Sequence, residues 1–164
     1  MPNETVSAVI TINAPAETVF AVLADPTSHA AIDGTGWVRE PLDGEHLTEA
    51  GQIFRMAMYH PNHPDGSYEM ANKVRIFNPP RTISWEPGQE VAGSGNLEFG
   101  GWIWRYDLNP ISQSETEVTL SYDWSAVPQF LREHIQFPPF ASDHLHNSLS
   151  HLAEIAVSQN TASK

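Results

Sequence analysis

Apolar and polar residues alternate along most of this chain, and elsewhere they recur at helical spacing. Val6, Ala8, Ile10 and Ile12 share one face of a strand over residues 5–12, with Ser7, Val9 and Thr11 opposite. Asn13 is placed to cap a following helix, Pro15 suits its first turn, and Val19, Phe20 and Leu23 form its apolar stripe. Asp25-Pro26 ends that helix, and residues 27–32 read as one more short helical turn. A meander follows. Residues 37–42 form a weak strand, and residues 52–59 carry Phe54, Met56 and Met58 on one face with Arg55 on the other. In the strand over residues 67–77, Tyr68, Met70, Asn72, Val74 and Ile76 face one way, and Glu69, Lys73 and Arg75 the other. Residues 81–86 form a short strand, and residues 87–101 a glycine-rich loop. A last hairpin joins residues 102–109 to 115–124, where Val118, Leu120, Tyr122 and Trp124 share a face.

One apolar and one charged face per strand predicts an antiparallel sheet covered on one side. The cover is the segment 141–157, which places Leu145, Leu149, Leu152 and Ala156 at helical spacing, with Ser142 or Asp143 as its cap. Residues 158–164 read as a frayed polar tail. The architecture expected is α+β: seven antiparallel strands, two short early helices and a last helix near 143–157, in one domain over residues 1–164.

Composition narrows the function classes. Eight Lys/Arg against 20 Asp/Glu leave a net charge of −12, which repels phosphate backbones and argues against nucleic acid as a partner. The chain has no cysteine, so disulfides and thiolate chemistry are excluded. No apolar run is long enough to span a bilayer, and the first residues lack the pattern of a secretory signal, so a cytoplasmic location is expected. No nucleophile elbow or phosphate-cradling loop occurs, and no cofactor is expected.

The candidate chemistry lies on the inward faces. Phe54, Met56, Met58, Tyr68, Asn72, Trp85, Trp104, Tyr106, Tyr122 and Trp124 combine rigid aromatic walls with polar handles and adaptable thioethers. With five Trp in the chain, this set suits a small hydrophobic molecule as partner, although filling a solid core is the plainer role for each residue. Asn72, flanked by Met70 and Val74, must find a partner for its amide: a Tyr hydroxyl or backbone carbonyl in the ordinary case, a ligand oxygen in the functional one. On the last helix, His144 and His151 share a face near Ser148 and Leu152, and His146 points elsewhere. His60, His63 and Asp65 have metal-ligand chemistry but sit in a proline-broken turn, so no metal site is expected. Phe130, Phe137 and Phe140 suit a cavity lid, a homodimer contact or a packed connection equally well.

Three stretches carry a family resemblance. Ala14-Pro-Ala-Glu-Thr-Val-Phe20 with Ala24-Asp-Pro26, then Arg81-Thr-Ile-Ser-Trp85, then Val118-Thr-Leu-Ser-Tyr-Asp-Trp124, resemble the START-like (SRPBCC) superfamily of polyketide cyclases, lipid-transfer domains and the birch-pollen allergen. The resemblance runs over essentially the whole chain. It implies the helix-grip fold, in which a bent antiparallel sheet grips a long last helix around a cavity. Function diverges widely on that fold, and three readings stay open. One is carriage of a hydrophobic ligand (lipid, polyketide or aromatic metabolite) in a pocket of at least about 300 Å³. Another is a polyketide cyclase or dehydratase-like enzyme using Tyr68, Tyr106, Tyr122 or His144 as acid or base. The third is a protein-interaction module of the co-chaperone type.

Overall fold

The structure, a computed structural model, describes residues 5–33, 38–41, 46–59, 67–90, 97–99, 101–129, 133 and 143–162. The elements are β1 (Thr5–Ile12), α1 (Ala16–Leu23), a 3₁₀ turn (Pro26–Ser28), α2 (His29–Asp33), β2 (Val38–Pro41), β3 (Ile53–Tyr59), β4 (Ser67–Asn78), β5 (Thr82–Glu90), β6 (Leu97–Phe99), β7 (Ile103–Pro110), β8 (Thr116–Asp123) and α3 (His144–Ala162). Seven strands run in the order β1-β8-β7-β5-β4-β3-β2, and the short β6 pairs beside β5. Every pairing is antiparallel. The sheet is bent, and α3 packs on β1 and β8 together with α1 and α2, which is the helix-grip arrangement.

Side-chain alternation accounts for the layering. On β8, Thr116, Val118, Leu120 and Tyr122 are buried, whereas Glu117, Thr119, Ser121 and Asp123 are half-exposed. Directly opposed residues share a face, so Trp85, Trp104, Tyr122 and Val6 form one row across β5, β7, β8 and β1. Ile83, Tyr106, Leu120 and Ala8 form the next row. Leu145, Leu149, Leu152 and Ala156 of α3 join these rows in one core.

Several local features depart from the sequence reading. The N-cap of α1 is Pro15, and no side chain caps it; Asn13 is exposed instead. In β4 the register slips by one residue between Val74 and Ile76, a bulge that reverses the alternation beyond it. Phe77, not Ile76, therefore meets the core, edge-on to Phe20 with ring centroids 5.3 Å apart. The glycine-rich segment is partly sheet: β5 continues through Pro87 and Gly88 to Glu90, and β6 pairs with its end. Gly88 permits this, since a Cβ there would lie 2.6 Å from the Phe99 ring. The last helix runs on to Ala162, past the expected boundary at 157. Among the described residues, no helix is long and apolar enough to cross a membrane.

Candidate aromatic site between sheet and helices

The site begins at the middle strands. Trp85 on β5 stands beside Trp104 on β7, and Trp104 beside Tyr122 on β8. Trp104 and Tyr122 have ring centroids 4.5 Å apart, and Tyr122 continues to Trp124 at 5.9 Å. His144, at the start of α3, meets the Trp104 ring edge-on at 6.1 Å. Toward the other side, Trp85 contacts Tyr106 at 5.9 Å and Phe54 at 5.7 Å. The aromatic side chains expected to converge from separate strands thus form one continuous wall. Trp85 and Trp104 remain half-buried within it, while Val74, Ile83, Tyr106 and Tyr122 around them are buried.

A histidine that the sequence reading passed over completes the wall. His29 opens α2, where the turn after Asp25-Pro26 directs it inward. Its ring stacks on Trp85 at 5.0 Å and 15° and meets Phe54 edge-on at 5.4 Å. It is 8% exposed, and Nε2–H donates to the Leu23 carbonyl at 2.8 Å. Burial pushes its pKa below the ordinary 6.5, outweighing the Leu23 hydrogen bond and the charge of Asp25. His29 is therefore neutral at pH 7. The only signal in the chain was a histidine beside Ala30, Ala31 and Ile32 in an apolar helical turn; its aromatic partners lie 25 and 56 residues away.

Asn72 takes the ordinary solution in part. Its Nδ2 donates to the Phe54 backbone carbonyl at 3.4 Å, and the side chain is 6% exposed. Met56 is buried and Met58 half-buried on the neighbouring strand. On α3, Ser148 and Leu152 are buried. His144 is buried, His146 exposed and His151 half-buried. His151 Nδ1–H donates to the Ile32 carbonyl at 3.0 Å, a structural tie between α3 and α2. Burial also raises the Tyr122 pKa well above 10, so its phenol stays protonated.

Other expectations fall elsewhere. The Tyr68 side chain, His60, His63, Asp65, Phe130, Phe137 and Phe140 lie outside the described residues. Among the described residues, no group of three or more His, Asp or Glu is arranged to hold a metal ion. A depression of about 420 Å³ opens where the start of α1 meets the β7–β8 turn, lined by Ala16, Glu17, Pro110, Ile111, Ser112 and Gln113. It shares no residue with the pocket expected between the sheet and α3, so it is a separate surface feature.

No protein-family model matches the chain. Over 121 residues, 74% of its length, it is 29% identical to the uncharacterized protein Rv0088 of Mycobacterium tuberculosis, and it spans about half the length of the curated relatives it matches. Among solved structures, it is similar to protein CV1439 of Chromobacterium violaceum, with a TM-score of 0.63 at 20% identity over 93% of this chain and 96% of that one. It is also similar to a norcoclaurine synthase point mutant of Thalictrum bound to a transition-state analogue, with a TM-score of 0.62 at 11% identity over 94% of each chain.

Proposed function

Taking as premise that this chain has the START-like helix-grip fold, we propose that it binds a small hydrophobic molecule against the Trp85–Trp104–Tyr122 wall. One observation carries the reading. Trp85 and Trp104 stand on central strands, on the face that the helices cover, yet both stay only half-buried while Val74, Ile83, Tyr106 and Tyr122 around them are buried. A solid core would bury the largest apolar side chains first, because each buried aromatic contributes the most apolar area. The bordering Phe54, Met56, Met58, Tyr106 and Leu152 would supply further apolar contact, and Asn72, His144 and Ser148 polar contact. The norcoclaurine synthase likeness supports a ligand on this fold and does not identify one.

Binding fits the described groups better than acid–base catalysis by Tyr122 or His29. Tyr122 is held protonated by burial and His29 is held neutral, so neither is poised to exchange a proton near pH 7.

N-phenyl-1-naphthylamine, a neutral dye that brightens in apolar surroundings, tests the reading. We expect saturable fluorescence at one dye per chain, weakened about tenfold or more by Trp85→Ala or Trp104→Ala. A purified chain that shows neither dye binding nor a copurified apolar mass in native mass spectrometry would overturn it.

A further inference from the structure

The polar atoms at this site are not evenly matched. Asn72 spends its donor on the Phe54 carbonyl. Because that carbonyl can only accept, the amide orientation is set, and Oδ1 is left facing away. Among the described residues Oδ1 has no partner. His29 repeats the pattern. Its Nε2–H is used on Leu23, which leaves Nδ1 as the lone-pair nitrogen, also without a partner among the described residues. Both side chains are more than nine-tenths buried, and both border Phe54. Buried acceptors without donors are uncommon, and each leaves hydrogen-bonding capacity unused.

We infer that the site takes a planar aromatic molecule carrying a neutral hydrogen-bond donor, a phenol or an aromatic amine, and discriminates against carboxylates; the inference rests on the binding reading above. Ring walls on Trp85 and Phe54 fit a flat π surface. Two buried acceptors fit an incoming O–H or N–H and repel an anion. The neutral state of His29 keeps Nδ1 an acceptor at pH 7. The cations whose side chains are described on β3, β4 and β7 face away from the site: Arg55, Arg75 and Arg105 are exposed on the opposite face, and Lys73 lies there half-exposed.

The test compares 2-naphthol, 2-methoxynaphthalene and 2-naphthoate by isothermal titration calorimetry on the full chain at pH 7. The three share one ring system and differ in donor and charge. We expect 2-naphthol to bind about tenfold tighter than the methyl ether, and the carboxylate to bind weakest. In Asn72→Leu the ratio of naphthol to methyl-ether affinity should shrink to about twofold. His29→Phe, which keeps a ring on Trp85, gives the same comparison should the leucine variant not fold. Equal affinity for naphthol and its methyl ether, or tightest binding of the carboxylate, overturns the donor inference and leaves the binding reading standing. Failure of all three to bind, together with failure of the dye, removes both.

Discussion

Thr116 shows how one side chain can join distant parts of this chain. It lies on β8, is fully buried, and its Oγ1 donates to the Ala14 carbonyl at 2.8 Å, across 102 residues. That carbonyl sits at the entry to α1, where no side chain caps the helix. Thr116→Val keeps the shape and removes the donor, so a buried carbonyl loses its partner. We expect a loss of about 1–3 kcal/mol by chemical denaturation, most of it recovered in Thr116→Ser. A Val variant as stable as the parent would show that the bond contributes nothing. Asn72 and His29 differ from Thr116 in kind: each is satisfied on one side only, which is why they mark the site and Thr116 marks the scaffold.

At the scale of elements, glycines and a bulge decide where the sheet goes. Gly101 precedes β7 with φ at +98°, and a Cβ there would stand 2.6 Å from the Ala126 carbonyl oxygen. Both the backbone angle and the close approach require glycine. Since Ala126 contributes backbone, it has no side chain to swing aside. Gly101→Ala should therefore cost about 2 kcal/mol or more, whereas at Gly88 the nearest atoms belong to the Phe99 side chain and the backbone oxygen of Glu98 stands farther off at 3.0 Å, so the loss there should be smaller. Thermal melts of the two variants test this ordering, and equal losses would contradict it. The bulge at Arg75 swings the end of β4 so that Phe77 reaches Phe20, while Arg75 pairs with Glu86 through Nε at 2.8 Å and lies over Phe99 on the outer face. That exposed pair adds little stability; its place beside β6 follows from the bulge.

For the molecule as a whole, two buried titratable groups set limits on the pH range of stability. His29 has a folded pKa below its ordinary 6.5, so the unfolded chain takes up the proton more readily. Its contribution is complete above about pH 6.5 and is lost as pH falls toward the folded value. Tyr122 has a folded pKa above its ordinary 10.0, so the unfolded chain releases the proton first. Its contribution is complete below about pH 10 and is lost as pH rises further. Denaturation across pH should show a falling acid limb that His29→Phe makes shallower and a falling alkaline limb that Tyr122→Phe makes shallower. Limbs unchanged in both variants would remove these two groups as the cause.

The chain by itself determined what short-range periodicity can encode. Alternation on β8 and on β1 named the inward residues, and helical spacing named Leu145, Leu149, Leu152 and Ala156, because burial of one face selects a period of two or of 3.6. The aromatic wall was legible for the same reason: Trp85, Trp104 and Tyr122 stand at inward positions of strands read correctly as strands. Tertiary structure decided the rest. The phase of β4 beyond Val74 depends on how its partner β5 pairs. The pairing of β6 depends on Phe99 finding room over Gly88. His29 became part of the site only when the fold brought α2 over Trp85 and Phe54. A local pattern records which face of an element is apolar; which atoms meet across that face, and which are left without a partner, follows only from closing the chain in three dimensions.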